Sequence, residues 1–218
     1  IGAGGVDVAA AMAGGSYYIQ MPEVIEVRLT GKLRAGVSAK DIILYVLQQE
    51  TVKGGVNKVY EYTGDGVSAL SVPQRATIPN MGAELGATTS IFPSDEITRV
   101  FLASMGREDA YQPLSADADA KYMKTIHVNL DELVPMAACP HSPDNVVCVD
   151  SLKETKVDQV CIGSCTNSSL MDMLKVAAML KGKVISPSVS LSISPGSKQV
   201  LGMLADCGAL SDIIASGA

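Results

Sequence analysis

The run Cys161-Ile162-Gly163-Ser164-Cys165-Thr166-Asn167-Ser168-Ser169 sets a thiol among small polar residues. The apolar stretch Val157 to Ile162 before it reads as a buried strand, and the apolar residues from Ser169 to Leu180 recur at helical spacing. Cys165 therefore sits where strand gives way to helix, the place where open α/β sheets put their chemistry. Free backbone N–H groups and the helix dipole favour an anion or thiolate there. The thiol can be a metal ligand in a hydrogen-bonding nest, or a nucleophile in an acyl-transfer site that needs a nearby base. Spacing alone does not choose. Asn80 and Glu84 form a second candidate pair, four residues apart and so on one face of a helix or its C-terminal turn. The small apolar surroundings, Met81 to Ala87, predict that this face is partly buried, where a carboxylate needs a partner or a function. The pair alone favours an exposed or capping role.

The other reactive side chains read more plainly. His127 and His141 are the only imidazoles. His141, in the loop Cys139-Pro140-His141-Ser142-Pro143, reads as solvated or hydrogen-bonded. Cys161 is expected to pack in the core, as free cysteines usually do, and packing is the default for Cys139, Cys148 and Cys207. Gly2-x-Gly4-Gly5 follows no strand and lacks the full dinucleotide spacing.

The elements that must position these groups alternate. Val6 to Ala13 reads as a short helix closed by Gly14-Gly15. Val24 to Leu29 reads as a half-exposed strand. Ser38 to Asp41 resembles a capping box ahead of the helix Ile42 to Leu47. Lys58 to Tyr62 is a strand, Ser71 caps a helix reaching about Ala83, and Asp95 to Met105 is another helix. After a polar linker, a strand near Lys124 to Val128 leads into the irregular stretch Cys139 to Asp144. Strand and helix then alternate twice more, ending with Val189 to Ile193 and Lys198 to Ala205. Ser168 and Ser169 read as helix caps, and Pro195-Gly196-Ser197 forms a second strand-to-helix turn. This rhythm predicts an α/β chain with mainly parallel sheets flanked by helices. The domain boundary is expected near residue 128, giving residues 22–128 and 129–218, with 1–21 left from a preceding domain.

Composition bounds the rest. Of 218 residues 47% are hydrophobic, yet there is no Trp and only 2 Phe, so the core is expected to be built from aliphatic residues and Met. A net charge of −6 weighs against nucleic acid or anionic membranes as partners. No apolar run has membrane-spanning length and no signal-peptide pattern opens the chain. Five cysteines without paired spacing do not make a disulfide framework, so a cytoplasmic setting is expected.

Ile162 to Ser169 resembles the segment of the aconitase superfamily that supplies the first cysteine of its iron–sulfur cluster. Ile78-Pro79-Asn80-Met81-Gly82-Ala83-Glu84-Leu85-Gly86-Ala87-Thr88-Thr89-Ser90 is similar to the family's substrate-pocket segment. The glycine-rich opening and Pro195-Gly196-Ser197 match in order, and the likeness spans essentially the whole chain. It implies two aconitase-type domains, the second truncated. It makes Cys165 a ligand of a [4Fe–4S] cluster, whose open iron is a Lewis acid. It gives Asn80 and Glu84 the task of holding the substrate hydroxyl or the water that leaves or adds. Met81-Gly82-Ala83-Glu84 and Thr88-Thr89-Ser90 resemble aconitase proper, which implies citrate-to-isocitrate isomerisation of a small tricarboxylate in the tricarboxylic acid cycle. Isopropylmalate, homoaconitate and methylcitrate-type dehydratases are the alternatives. The remaining cluster cysteines, the carboxylate-binding arginines and a serine-bearing domain are expected outside these residues. The chain by itself is then expected to be an inactive structural module without a cluster, with an open sheet edge that a dimer would cover.

Overall fold

A computed structural model describes residues 4–218. The glycine turn expected at Gly2 to Gly5 lies partly outside them. The first helix, α1 (Gly5–Met12), buries none of its residues. The chain divides into two compact units, Ile1–Lys153 and Glu154–Ala218.

In the first unit β1 (Glu23–Thr30) is followed by α2 (Ala39–Glu50), β2 (Lys58–Thr63), α3 (Val72–Met81), β3 (Thr89–Ile91), α4 (Glu96–Ser104) and β4 (Lys124–Asn129). The four strands form a parallel sheet in the order β3-β2-β1-β4. Register places Ile25 beside Tyr60, Val27 beside Tyr62 and Leu29 beside Val128. Side chains alternate along a strand, so these residues share one face, and they are buried with Ile42, Ile43, Val46 and Leu47 of α2 and Ile78 of α3. This core is therefore not purely aliphatic as expected: Tyr60 and Tyr62 are fully buried in it, and the Tyr62 ring stacks on Phe92 with centroids 4.5 Å apart.

β1 is not half-exposed. It is the inner strand between β2 and β4, and its polar face is partly sealed by hydrogen bonds. Glu26 is buried and accepts from Arg28 Nε at 3.1 Å and Nη2 at 2.9 Å, Thr63 Oγ1 at 2.6 Å and Thr125 Oγ1 at 2.7 Å. Burial opposes ionisation of Glu26, but these donors together outweigh it and hold the carboxyl below its ordinary pKa.

The division falls at Lys153, well past the boundary expected near residue 128. The segment after β4 forms an antiparallel pair, β5 (Met136–Ala138) and β6 (Val146–Cys148), which the sequence pattern did not reveal. It is tied to α2 by two bonds, Met136 N–H to Asp41 Oδ1 at 2.8 Å and Gln48 Nε2 to Val146 O at 2.7 Å, and to the turn after α2 by a third, Val52 N–H to Asp144 Oδ2 at 3.1 Å. His141 is exposed in the loop between these two strands, and His127 is exposed on β4.

The second unit runs β7 (Gln159–Ile162), α5 (Leu170–Leu180), β8 (Ser190–Ile193), α6 (Lys198–Asp206) and α7 (Ala209–Ala215), with β7 and β8 parallel. Met173, Ala177, Leu204, Ala209 and Ile213 form its core, with Ile162 and Ile193 packed against it. The α/β class with mainly parallel, helix-flanked sheets stands. No helix among the described residues is long and apolar enough to cross a membrane.

Candidate active site

The segment bearing Asn80 and Glu84 is shaped by its own caps and breaks. Ser71 starts α3 with a capping box: Ser71 Oγ accepts the Gln74 N–H at 3.4 Å, and Gln74 Oε1 accepts the Ser71 N–H at 2.9 Å. The α-helix ends at Met81, earlier than the expected Ala83, and tightens into a 3₁₀ turn over Gly82–Leu85. Gly86 then takes a left-handed φ of 71°, which turns the chain into β3 and favours glycine there. Two bonds fix this region to β2 and the turn before it: Gly55 N–H to Leu85 O at 2.9 Å and Thr88 N–H to Lys58 O at 2.8 Å.

Both Asn80 and Glu84 are exposed, so the burial expected from the small apolar neighbours does not occur. The apolar residues Ile78, Leu85 and Ala87 of the segment take the buried positions instead. Asn80 lines a cavity of about 530 Å³ with Ala76, Pro79, Gly82, Ala83, Ala87, Thr89 and Ser90. Glu84 is not among its lining residues. The Ser90 hydroxyl is buried beneath this surface without a hydrogen-bond partner.

Cys165 lies in the second unit, on the loop between β7 and α5. The loop begins at Gly163, whose φ of 123° brings the backbone against the neighbouring strand end. A Cβ at Gly163 would lie 2.2 Å from Ser194 O, so only glycine fits this close approach. Ser164 Oγ accepts the N–H groups of Thr166 at 3.1 Å and Asn167 at 3.2 Å. The Ser168 hydroxyl donates back to Ser164 O, and Gly196 N–H donates to Ser168 O at 3.0 Å. The Cys165 loop and the Pro195-Gly196-Ser197 turn are thus neighbours. Ser169 caps α5, accepting the Asp172 N–H at 3.3 Å, and Ser197 caps α6.

On this scaffold the Cys165 thiol is exposed, with Sγ 3.9 Å from Thr166 Oγ1. An exposed sulfur on the strand-to-helix loop is open to iron, for which a cysteine is the usual ligand, so the loop fits one corner of a cluster. Among the described residues no three His, Cys, Asp or Glu side chains converge as a metal site. Cys161 does not pack in the core. It alternates with Ile162 along β7, and since Ile162 faces the core, Cys161 faces outward and is exposed. Cys207 is exposed as well, while Cys139 and Cys148 are half-buried. Neither imidazole belongs to the unit that holds Cys165.

The sequence pattern missed Arg75. A lone arginine on a short helix normally reads as solvent-facing, yet Arg75 is buried.

The mainly parallel, helix-flanked α/β fold is consistent with the aconitase class of proteins. The chain matches the aconitase family (aconitate hydratase) over residues 1–156 and 150–218, and it belongs to that family. It is similar to the 3-isopropylmalate dehydratase large subunit 2 of Rubrobacter xylanophilus, with 38% identity over 217 residues, all of this chain and 51% of that protein. The large subunit 2 of Archaeoglobus fulgidus is 40% identical over 99% of this chain and 52% of its own length. The large subunit of Clostridium kluyveri is 40% identical over all of this chain and 51% of its own length. The chain spans about half the length of these relatives.

Proposed function

We propose that these residues are the part of an iron–sulfur hydro-lyase that supplies one cluster thiolate and the group at the departing oxygen, acting on an isopropylmalate-type hydroxy acid. The observation that carries the substrate is the shared name of the similar proteins, 3-isopropylmalate dehydratase large subunit. Those names favour the isopropylmalate alternative over the citrate expected from Met81-Gly82-Ala83-Glu84, and they lend no support to a place in the tricarboxylic acid cycle. They also support a further subunit as partner, because each relative is named a large subunit.

In this reading Cys165 is a ligand of a [4Fe–4S] cluster, which when bound supplies Lewis acidity toward the substrate. Asn80 orients the substrate hydroxyl with its amide. Glu84 passes a proton to that oxygen as the C–O bond breaks, and recovers it from the entering water. The proton on the adjacent carbon goes to the serine that the family resemblance assigns to another domain.

The test is substrate preference. The whole protein with its partner subunit, loaded with iron and sulfide without oxygen, is offered 3-isopropylmalate and citrate. A pocket that accepts an isopropyl group leaves citrate's third carboxylate unpaired, so kcat/KM for isopropylmalate is expected to exceed that for citrate by on the order of 100-fold or more. The reverse preference would return the protein to aconitase proper.

A further inference from the structure

Arg75 lies on α3 five residues before Asn80 and nine before Glu84, and is 4% exposed. All five of its N–H donors are used. Nε donates to Leu70 O at 3.1 Å and Nη2 to Val67 O at 3.1 Å, both in the turn that precedes α3. Nη1 donates to Pro93 O at 3.3 Å, beyond β3. The same guanidinium grips Asp95 in a two-pronged pair, Nη1 to Oδ1 at 2.9 Å and Nη2 to Oδ2 at 2.6 Å. Asp95 in turn caps α4 through the Thr98 N–H at 3.1 Å. Burial opposes ionisation of Asp95, but the bonds from Arg75 and Thr98 outweigh it and keep the carboxyl below its ordinary pKa.

These contacts have one geometric consequence. The chain between Arg75 and Asp95 is a loop closed at its base by the guanidinium, and that loop consists of the rest of α3, the Gly82–Leu85 turn and β3. We infer that Arg75 is a positioning residue, clamping the two ends of the Asn80–Glu84 segment so that its exposed side chains meet the substrate in one fixed orientation. The inference rests on the catalytic reading of Glu84. The backbone bonds at Leu85 and Thr88 hold the middle of this loop, and the clamp fixes its two ends, so together they set where the exposed Asn80 and Glu84 side chains stand. Lysine cannot replace it, since an ammonium has three donors and no planar fork.

The experiment compares Arg75→Lys, Asp95→Asn, Glu84→Gln and the Arg75→Lys/Glu84→Gln pair in the whole iron-loaded enzyme, with activity expressed per folded, cluster-bearing molecule. Asp95→Asn keeps a good helix cap and loosens the same grip from the other side, so the test survives if Arg75→Lys does not fold. Misplaced catalytic groups lower kcat by on the order of 10-fold with KM nearly constant. In the Glu84→Gln background the same change should cost less than about threefold, because the group it positions no longer acts. Amide exchange over Gly82–Thr88 should speed up by roughly 10-fold while α2 is unchanged. Normal kcat in both single clamp variants, effects that multiply independently, or unchanged exchange over Gly82–Thr88 would each overturn the inference. A fully active Glu84→Gln enzyme is the separate signature that the catalytic reading has failed, and the inference falls with it.

Discussion

Cys165→Ser in the whole protein is expected to abolish both the bound cluster and turnover, while Cys161→Ser leaves iron content nearly unchanged. The two cysteines are only four residues apart and both are exposed, so exposure does not separate them. Their local structures do. Cys161 is in the regular pairing of β7 with β8, opposite Ser192, on the outer face of a two-stranded sheet. Cys165 is beyond the strand, on a loop fixed by Ser164, Ser168 and Gly163 and leading straight into α5. That position leaves the sulfur exposed on a loop rather than committed to the face of a strand, where a metal can reach it. Serine matches the size of cysteine but its hydroxyl is far less acidic, so it is a poor substitute where iron needs a thiolate. Iron and sulfide analysis of the two variants checks the assignment. Retained iron in Cys165→Ser together with loss in Cys161→Ser would reverse it.

Glu84→Gln is expected to lower turnover by a factor on the order of 100 or more with the cluster intact, since a glutamine cannot exchange the proton at the departing oxygen. The fold should tolerate the change. Glu84 is exposed on a 3₁₀ turn whose anchors are backbone bonds and the buried Leu85, none of which involves the carboxylate. A loss of rate without a loss of folded protein is therefore the signature to seek, by comparing kcat, iron content and the thermal midpoint. Near-normal turnover would leave Glu84 with a structural role only.

Much of this was legible because the signals are local. Ser71, Asp95 and Ser169 each announce a helix by a side chain that bonds the backbone N–H three residues on, and each does so in the structure, whereas Ser168, also expected as a cap, instead donates its hydroxyl to Ser164 O. The placement of Cys165 between strand and helix was readable for the same reason. What escaped depends on contacts distant in sequence. The hairpin β5–β6 is three residues per strand, too short for a period, and it is held by α2 residues about a hundred positions away. That tether is why the first unit runs on to Lys153. Glu26 read as a solvent-facing residue because alternation cannot show that Thr63 and Thr125 of neighbouring strands will cover it. Arg75 was invisible for the same reason, its partners being brought to it by the return of the chain through β3. Small apolar neighbours predict a partly buried face for Asn80 and Glu84, whereas Ile78, Leu85 and Ala87 take the interior and leave both polar side chains exposed, as the pair by itself favours.

Iron and acid-labile sulfide, measured with the visible spectrum of the whole protein purified without oxygen, test the central claim most directly. The expected result is a brown protein with about four iron atoms per chain, broad absorption at the blue end of the spectrum, and hydro-lyase activity that a chelator removes together with the colour. A colourless, iron-free protein that is fully active would contradict it, and would make the Cys165 sulfur a nucleophile instead.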